Sequence, residues 1–213
     1  MTEKTMGLAT ILTDVVQPLL ARVGFKGKSY LWNRDRGGFI DVIEFQLGKA
    51  TVRSQEQFTI NAGVFVPRFY ELTWGKKHKG FVREVDCTVR GRVGQIIQSR
   101  FDGKALDKWW HLDTEEATFI CSSELPTVLT QHILPFLEEH GSFRHIYDFL
   151  SARAGWEREF PLNRLYLALV LSELGHQEKA DSVFHELLNC ESKAWVDRTK
   201  SVQSRLLLRT KAG

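Results

Sequence analysis

Gln57-Phe58-Thr59-Ile60-Asn61-Ala62-Gly63-Val64-Phe65-Val66 is the stretch that decides the fold. Phe58, Ile60, Ala62, Val64 and Val66 occupy every second position, with Gln57, Thr59, Asn61 and Gly63 between them. A period of two puts one set on each face of an extended strand, one apolar and one polar. Upstream, Phe39–Leu47 repeats the pattern. Phe39, Ile43, Phe45 and Leu47 share a face, with Asp41 the odd member, and Ile40, Val42, Glu44 and Gln46 take the other. Arg34-Asp35-Arg36-Gly37-Gly38 joins this run to Ser29–Asn33 as a glycine-containing hairpin connection. Downstream, Val82–Val93 reads as a third alternating strand, with Val85, Cys87 and Val89 opposite Glu84, Asp86, Thr88, Arg90 and Arg92. Lys108–Leu112 reads as a short closing strand. Such alternation is what an antiparallel sheet with one buried face produces.

Helices flank the sheet. Leu8, Ile11, Leu12, Val15, Val16 and Leu19 recur at three-to-four-residue spacing, with Pro18 near the end and Gly24 as the stop. Thr114-Glu115-Glu116 opens a second helical stretch, acids at its positive end. Beyond it, Leu162, Leu165, Tyr166, Leu169, Val170 and Leu174 form an apolar stripe that Ala168 and Leu171 widen, so this helix is expected to be largely buried. Gly175, Ala180 and Phe184 complete a pattern similar to one tetratricopeptide-type hairpin. No second copy follows, so a single helical hairpin packed on the sheet is expected. The fold class is therefore α+β, with residues 1–141 as a sheet-bearing domain and 142–213 as a helical subdomain.

Composition narrows the classes. The 213 residues carry a net charge of only +3, too little to mark the whole chain as a nucleic-acid binder. Cys87, Cys121 and Cys190 are odd in number and form no CxxC pair, as in reduced intracellular proteins. No run approaches the roughly 18 apolar residues a membrane span needs, and the N-terminal apolar residues are interrupted by Thr13, Asp14, Gln17 and Pro18. A cytoplasmic location without membrane contact is expected.

Several strings, in order, resemble a known family: Gly24-Phe25-Lys26-Gly27-Lys28, Tyr30-Leu31-Trp32-Asn33-Arg34, Val42-Ile43-Glu44-Phe45-Gln46, Phe58 to Phe65, Cys87 to Gly94, and Trp109-Trp110. Together they are similar to the bacterial domain of unknown function family DUF4304, over roughly Leu8 to Leu137. The resemblance implies an α+β fold and no settled activity. Through the genomic company of some relatives, it also implies a role as an immunity protein against a secreted toxin.

Catalytic and metal signatures are weak. His185-Glu186-Leu187-Leu188-Asn189 begins like a zinc-protease helix but has Asn189 where the second histidine must stand. No other histidine pair has ligand spacing with a third partner nearby, so no metal is expected. Gly48-Lys49-Ala50-Thr51 lacks the adjacent lysine and hydroxyl of a phosphate loop, and no cofactor is expected. Cys87 sits in an apolar strand context that reads as packing.

Two surfaces remain. If the three strands neighbour one another, Glu44, Gln46, Thr59, Asn61, Glu84, Asp86, Thr88, Arg90 and Arg92 emerge on one polar face. Arginine there reads carboxylates or phosphates through paired donors, although a merely solvated sheet face carries similar ion pairs. Trp109 and Trp110 point to opposite faces, so at most one enters the core. The other is expected near Arg90 and Arg92, substantially exposed. Separately, Arg68–Lys104 holds nine Lys or Arg against four acids, with Lys76, Lys77 and Lys79 clustered in one loop. Three functional readings follow. The first is a non-enzymatic module binding a protein partner such as a toxin, through Asn61, Lys76, Lys77, Lys79, Arg90, Arg92, Trp109 and Trp110. The second is a nucleic-acid-associated protein using the basic stretch and the tail Arg205, Arg209 and Lys211. The third is an enzyme using Asp86, Arg90 and Arg92 with Asn61.

Overall fold

The structure, a computed structural model, describes residues 7–48, 57–99, 101, 104–153 and 160–210. Lys49, Ala50, Thr51 and Lys211 lie outside the described residues. Among the described residues six antiparallel strands form one sheet: β1 (Lys26–Lys28), β2 (Leu31–Asp35), β3 (Ile40–Leu47), β4 (Gln57–Phe65), β5 (Val89–Arg92) and β6 (Trp110–His111). Their order is β1-β2-β3-β4-β5, and β6 pairs β4 further along the same edge. The hairpin glycines Gly37 and Gly38 both adopt positive φ, as the turn between β2 and β3 requires.

The register sorts the side chains. Ile43 opposes Ala62, Phe45 opposes Ile60 and Val64 opposes Val89, all on the apolar face. Helix α1, over residues 8–22, lies on that face, contributing Leu8, Ile11, Val16 and Leu20 to the core. Two short helices are α2 (Pro67–Trp74) and α3 (Val93–Ile97). Helix α4 spans residues 115–139 and adds Leu125, Leu129, Ile133 and Leu137. Both α1 and α4 contain a π turn, Leu12–Val16 and Leu129–Ile133. Each precedes a segment whose second residue is proline, Pro18 or Pro135. Proline has no N–H for the carbonyl four residues back, and widening the helix accommodates that loss.

Beyond α4 the described residues form α5 (Phe143–Ala152), α6 (Pro161–Glu173), α7 (Gln177–Leu188) and α8 (Lys193–Thr210). Helices α6 and α7 form the expected hairpin. Gly175 turns it at positive φ, and Leu165, Tyr166, Leu169, Ala180 and Phe184 are buried. One hydrophobic cluster runs from Leu8 through the sheet to Val202.

One buried group in this core is a histidine. His140, at the end of α4, donates from Nδ1 to the Phe136 carbonyl at 2.7 Å and packs against the Phe136 and Phe149 rings. Burial pushes its pKa below the ordinary 6.5. As the pH falls below 6.5 the unfolded chain takes the proton first, so stability is full above that value and drops as the pH falls through the folded pKa. Denaturant melts between about pH 7 and about pH 5 should show a shallower loss for His140→Gln than for the native chain. Equal slopes would remove His140 from this role.

The expectation for Val82–Val93 needs correction. Only Val89–Arg92 is strand, Glu84–Asp86 is a 3-10 turn, Val85 is exposed and Glu84 is buried. Polar pairing overrides alternation here. The Glu84 amide donates to Glu44 Oε2 at 3.0 Å, and its carboxylate is taken by Arg90. The chain then crosses β4 at Gly63, where a Cβ would stand 2.6 Å from the Val89 carbonyl and 2.8 Å from Cys87 Cβ. Gly63→Ala should therefore cost about 1–3 kcal/mol by overpacking, read as a lower urea midpoint. An unchanged midpoint would mean the crossing is loose.

Candidate functional site

The second sheet face is built from alternate residues of the same strands. Asn33, Val42, Gly63 and Arg90 align across it in one row, and Leu31, Glu44, Asn61 and Arg92 in the next. Half of this face is covered. The chain after α2 folds back over it, and Val42, Phe65, Val82 and Cys87 form a second, small apolar cluster. Asn33 clasps that cover at two points, donating from Nδ2 to the Val82 carbonyl at 3.0 Å and accepting from the Val82 amide at 2.7 Å. Cys87 does pack in a core, although not beside Val85. Burial pushes its thiol well above the usual range, and the Glu84 charge adds to the effect.

The other half is an open cleft of about 550 Å³. Glu44, Gln46, Asn61 and Glu84 make its floor, β5 supplies Arg90 and Arg92, and Arg83 and Asp107 stand at its sides. Its charged groups are ordered by pairing. Arg83 donates Nε and Nη2 to Glu44 Oε1 at 3.1 and 2.5 Å, and the bond to Glu44 raises the Arg83 pKa. Arg90 donates to both Glu84 oxygens at 2.6 and 3.0 Å. Burial would lower the Arg90 pKa, but these bonds outweigh it and the pKa is raised. Arg92 meets Asp107 at 2.5 Å, and Asn61 donates to Gln46 Oε1 at 2.7 Å. The far wall comes from the helical C-terminal part. Arg153 donates to the Arg90 carbonyl at 2.7 Å, and Phe160 and Asn163 complete the lining.

The edges of the cleft are apolar. Val85, Leu106 and Phe160 line it with 52, 78 and 44% of their surface exposed.

Of the residues expected to bind, the structure brings Asn61, Arg90 and Arg92 together in this cleft. Trp109 stands beside them, its indole 5.9 Å from the Arg92 guanidinium and its Nε1 donating to Asp107 at 3.0 Å. It is half-buried and not substantially exposed, because Asp107 and Arg92 hold the ring down. Trp110 points to the opposite face and is buried. Lys76, Lys77 and Lys79 are exposed on their own loop and are not among the lining residues. Asp86 also lies apart, 3.5 Å from His78 Nε2, and Thr59 is buried with its hydroxyl on the Lys108 carbonyl. Sequence reasoning passed over Arg83, Leu106, Asp107, Arg153 and Phe160. All five come from irregular segments or element ends, where no period marks a face.

Among the described residues no helix is long and apolar enough to cross a membrane. No curated protein and no solved structure matches the chain. The family described as Domain of unknown function (DUF4304) matches residues 16–139, which hold the sheet, helix α4 and all of the cleft except its C-terminal wall. That match covers more than half of the chain, and the protein belongs to the DUF4304 family.

Proposed function

We propose that the protein is a non-enzymatic interaction module of the cytoplasm, whose cleft on the second sheet face receives a protein partner. The observation that carries this reading is the combination of a polar, ion-paired floor with three exposed apolar side chains at its edge, Val85, Leu106 and Phe160. Exposed apolar groups around prearranged arginines are what a protein interface covers on binding. The floor also favours binding over chemistry, since its acids and arginines already grip one another and the nearby Cys87 thiol is held protonated.

The partner class we propose is a toxin encoded beside this protein, which the protein neutralises. Co-expression with the product of the adjacent reading frame tests it. Growth rescue and co-purification are expected, and Leu106→Asp with Phe160→Asp should weaken the complex at least about tenfold, the size of a modest hot-spot loss. A harmless, unbound neighbour, or a complex indifferent to both substitutions, would sink the reading.

A second reading rests on the basic loop. Lys76, Lys77 and Lys79 are exposed next to Trp74, which carries Arg198 at 4.0 Å over its ring. Cations beside an aromatic suit a nucleic-acid strand. A mobility shift that weakens steeply with salt would favour this surface, and no shift at micromolar protein would remove it.

A further inference from the structure

The cleft holds its charge in two layers. Glu44 and Glu84 lie at the bottom with side chains 14 and 9% exposed, while the arginines in front of them, Arg83 and Arg90, are 62 and 46% exposed. Each carboxylate grips one edge of its guanidinium, through Nε and Nη2 in both cases. The Glu84 amide bonded to Glu44 Oε2 joins the two ion pairs, and both arginines line the same cleft. A guanidinium has five donors in a rigid fork. With the inner edge spent on a buried acid, the outer edge is oriented for a second acceptor. Pre-oriented donors lose little freedom when a ligand arrives. The charge a ligand meets is thus positive, although the floor behind it is acidic. On the Arg92 side, by contrast, Asp107 is as exposed as its partner, which closes that edge to anions.

We infer that the cleft takes an acidic peptide segment of its partner, one carboxylate seated on the outer edges of Arg83 and Arg90. Apolar neighbours in the same segment lie against Val85, Leu106 and Phe160. This assignment rests on the reading of the cleft as a protein-binding surface. Two observations favour peptide over nucleic acid as the source of the anion. Among the described residues the cleft is lined by arginines without a lysine, and its edge is apolar where a strand of phosphates would want further cations.

The test uses the full chain, labelled with nitrogen-15, and follows the arginine Nε–Hε signals. The probe is a capped pentapeptide, Leu-Glu-Asp-Leu-Phe, set against its Gln/Asn counterpart and against a single-stranded oligonucleotide. The Arg83 and Arg90 signals should move saturably with the acidic peptide, and the neutral peptide should bind at least about tenfold more weakly, as loss of a charge-assisted paired bond implies. Arg83→Gln, at the solvent front, should reduce acidic-peptide affinity by a similar factor. Arg83→Lys, which keeps the charge but not the fork, should recover only part of it. Equal affinity for the neutral peptide would overturn the acidic preference and leave the cleft a protein-binding surface. Movement of the same signals by the oligonucleotide alone would overturn both. Silence with the acidic peptide up to about 1 mM overturns the assignment, and the Leu106 and Phe160 substitutions then decide separately whether the protein-binding reading survives.

Discussion

Asp41→Ala should destabilise the protein by about 3–5 kcal/mol, the usual cost of removing one partner from a buried ion pair. Asp41 is fully buried on the apolar face of β3. Arg34 donates to its Oδ2 at 2.8 Å and Arg36 to its Oδ1 at 2.5 Å. The same arginines reach α4, through Arg34 to Glu138 at 2.6 Å and Arg36 to the Leu137 carbonyl at 2.9 Å. Removing the carboxylate leaves two largely buried guanidinium groups facing each other and loosens the clamp between hairpin and helix. A buried ion cluster commonly adds little net stability over apolar groups of similar volume. Burial pushes the Asp41 carboxyl above its usual range even against Arg36 and Arg34. Asp41→Leu combined with Arg34→Met and Arg36→Met should therefore recover most of the loss. Urea unfolding of the single and triple variants checks this. A mild single variant, or a triple variant as unstable as the single one, contradicts it.

Trp110→Ala should cost a further large amount, about 3–5 kcal/mol, whereas Trp109→Ala should cost about 1 kcal/mol or less. Trp110 stacks on Phe58 at 5.2 Å, carries Lys108 at 4.8 Å over its ring, and donates from Nε1 to Glu124 at 2.9 Å. Burial alone would raise Glu124, but the bonds from Lys108 and Trp110 hold it below its usual value. Trp110→Phe keeps the stack and loses that bond, so it should cost only about 1 kcal/mol. Thermal melts of the three variants separate these effects. Equal destabilisation by Trp109→Ala and Trp110→Ala would place both rings in the core.

The contrast between these tryptophans shows how far periodicity carries. Adjacent residues on a strand must face opposite ways, and that alone limited the core to at most one of the two indoles. The alternation of Phe39–Leu47 and Gln57–Val66 likewise set the register that aligns Glu44, Asn61 and Arg92. Asp41 was visible as the one acid on an apolar face, and its burial between two arginines explains it. What periodicity could not supply was the path from Val82 to Thr88. There Glu84 turns inward to Arg90, and Gly63 lets the chain cross over β4. The far wall of the cleft was also illegible, because Arg153 and Phe160 arrive from helices whose own pattern says nothing about the sheet they will face.

Hydrogen exchange of the chain, alone and bound to the protein encoded beside it, tests the central claim most directly. The cleft as partner surface predicts slowed exchange in Arg83–Asp86, in β5 and around Leu106 and Asp107, with the Lys76–Lys79 loop unchanged. Protection gained in that loop or along α8, with the cleft exchanging as in the free protein, would contradict it.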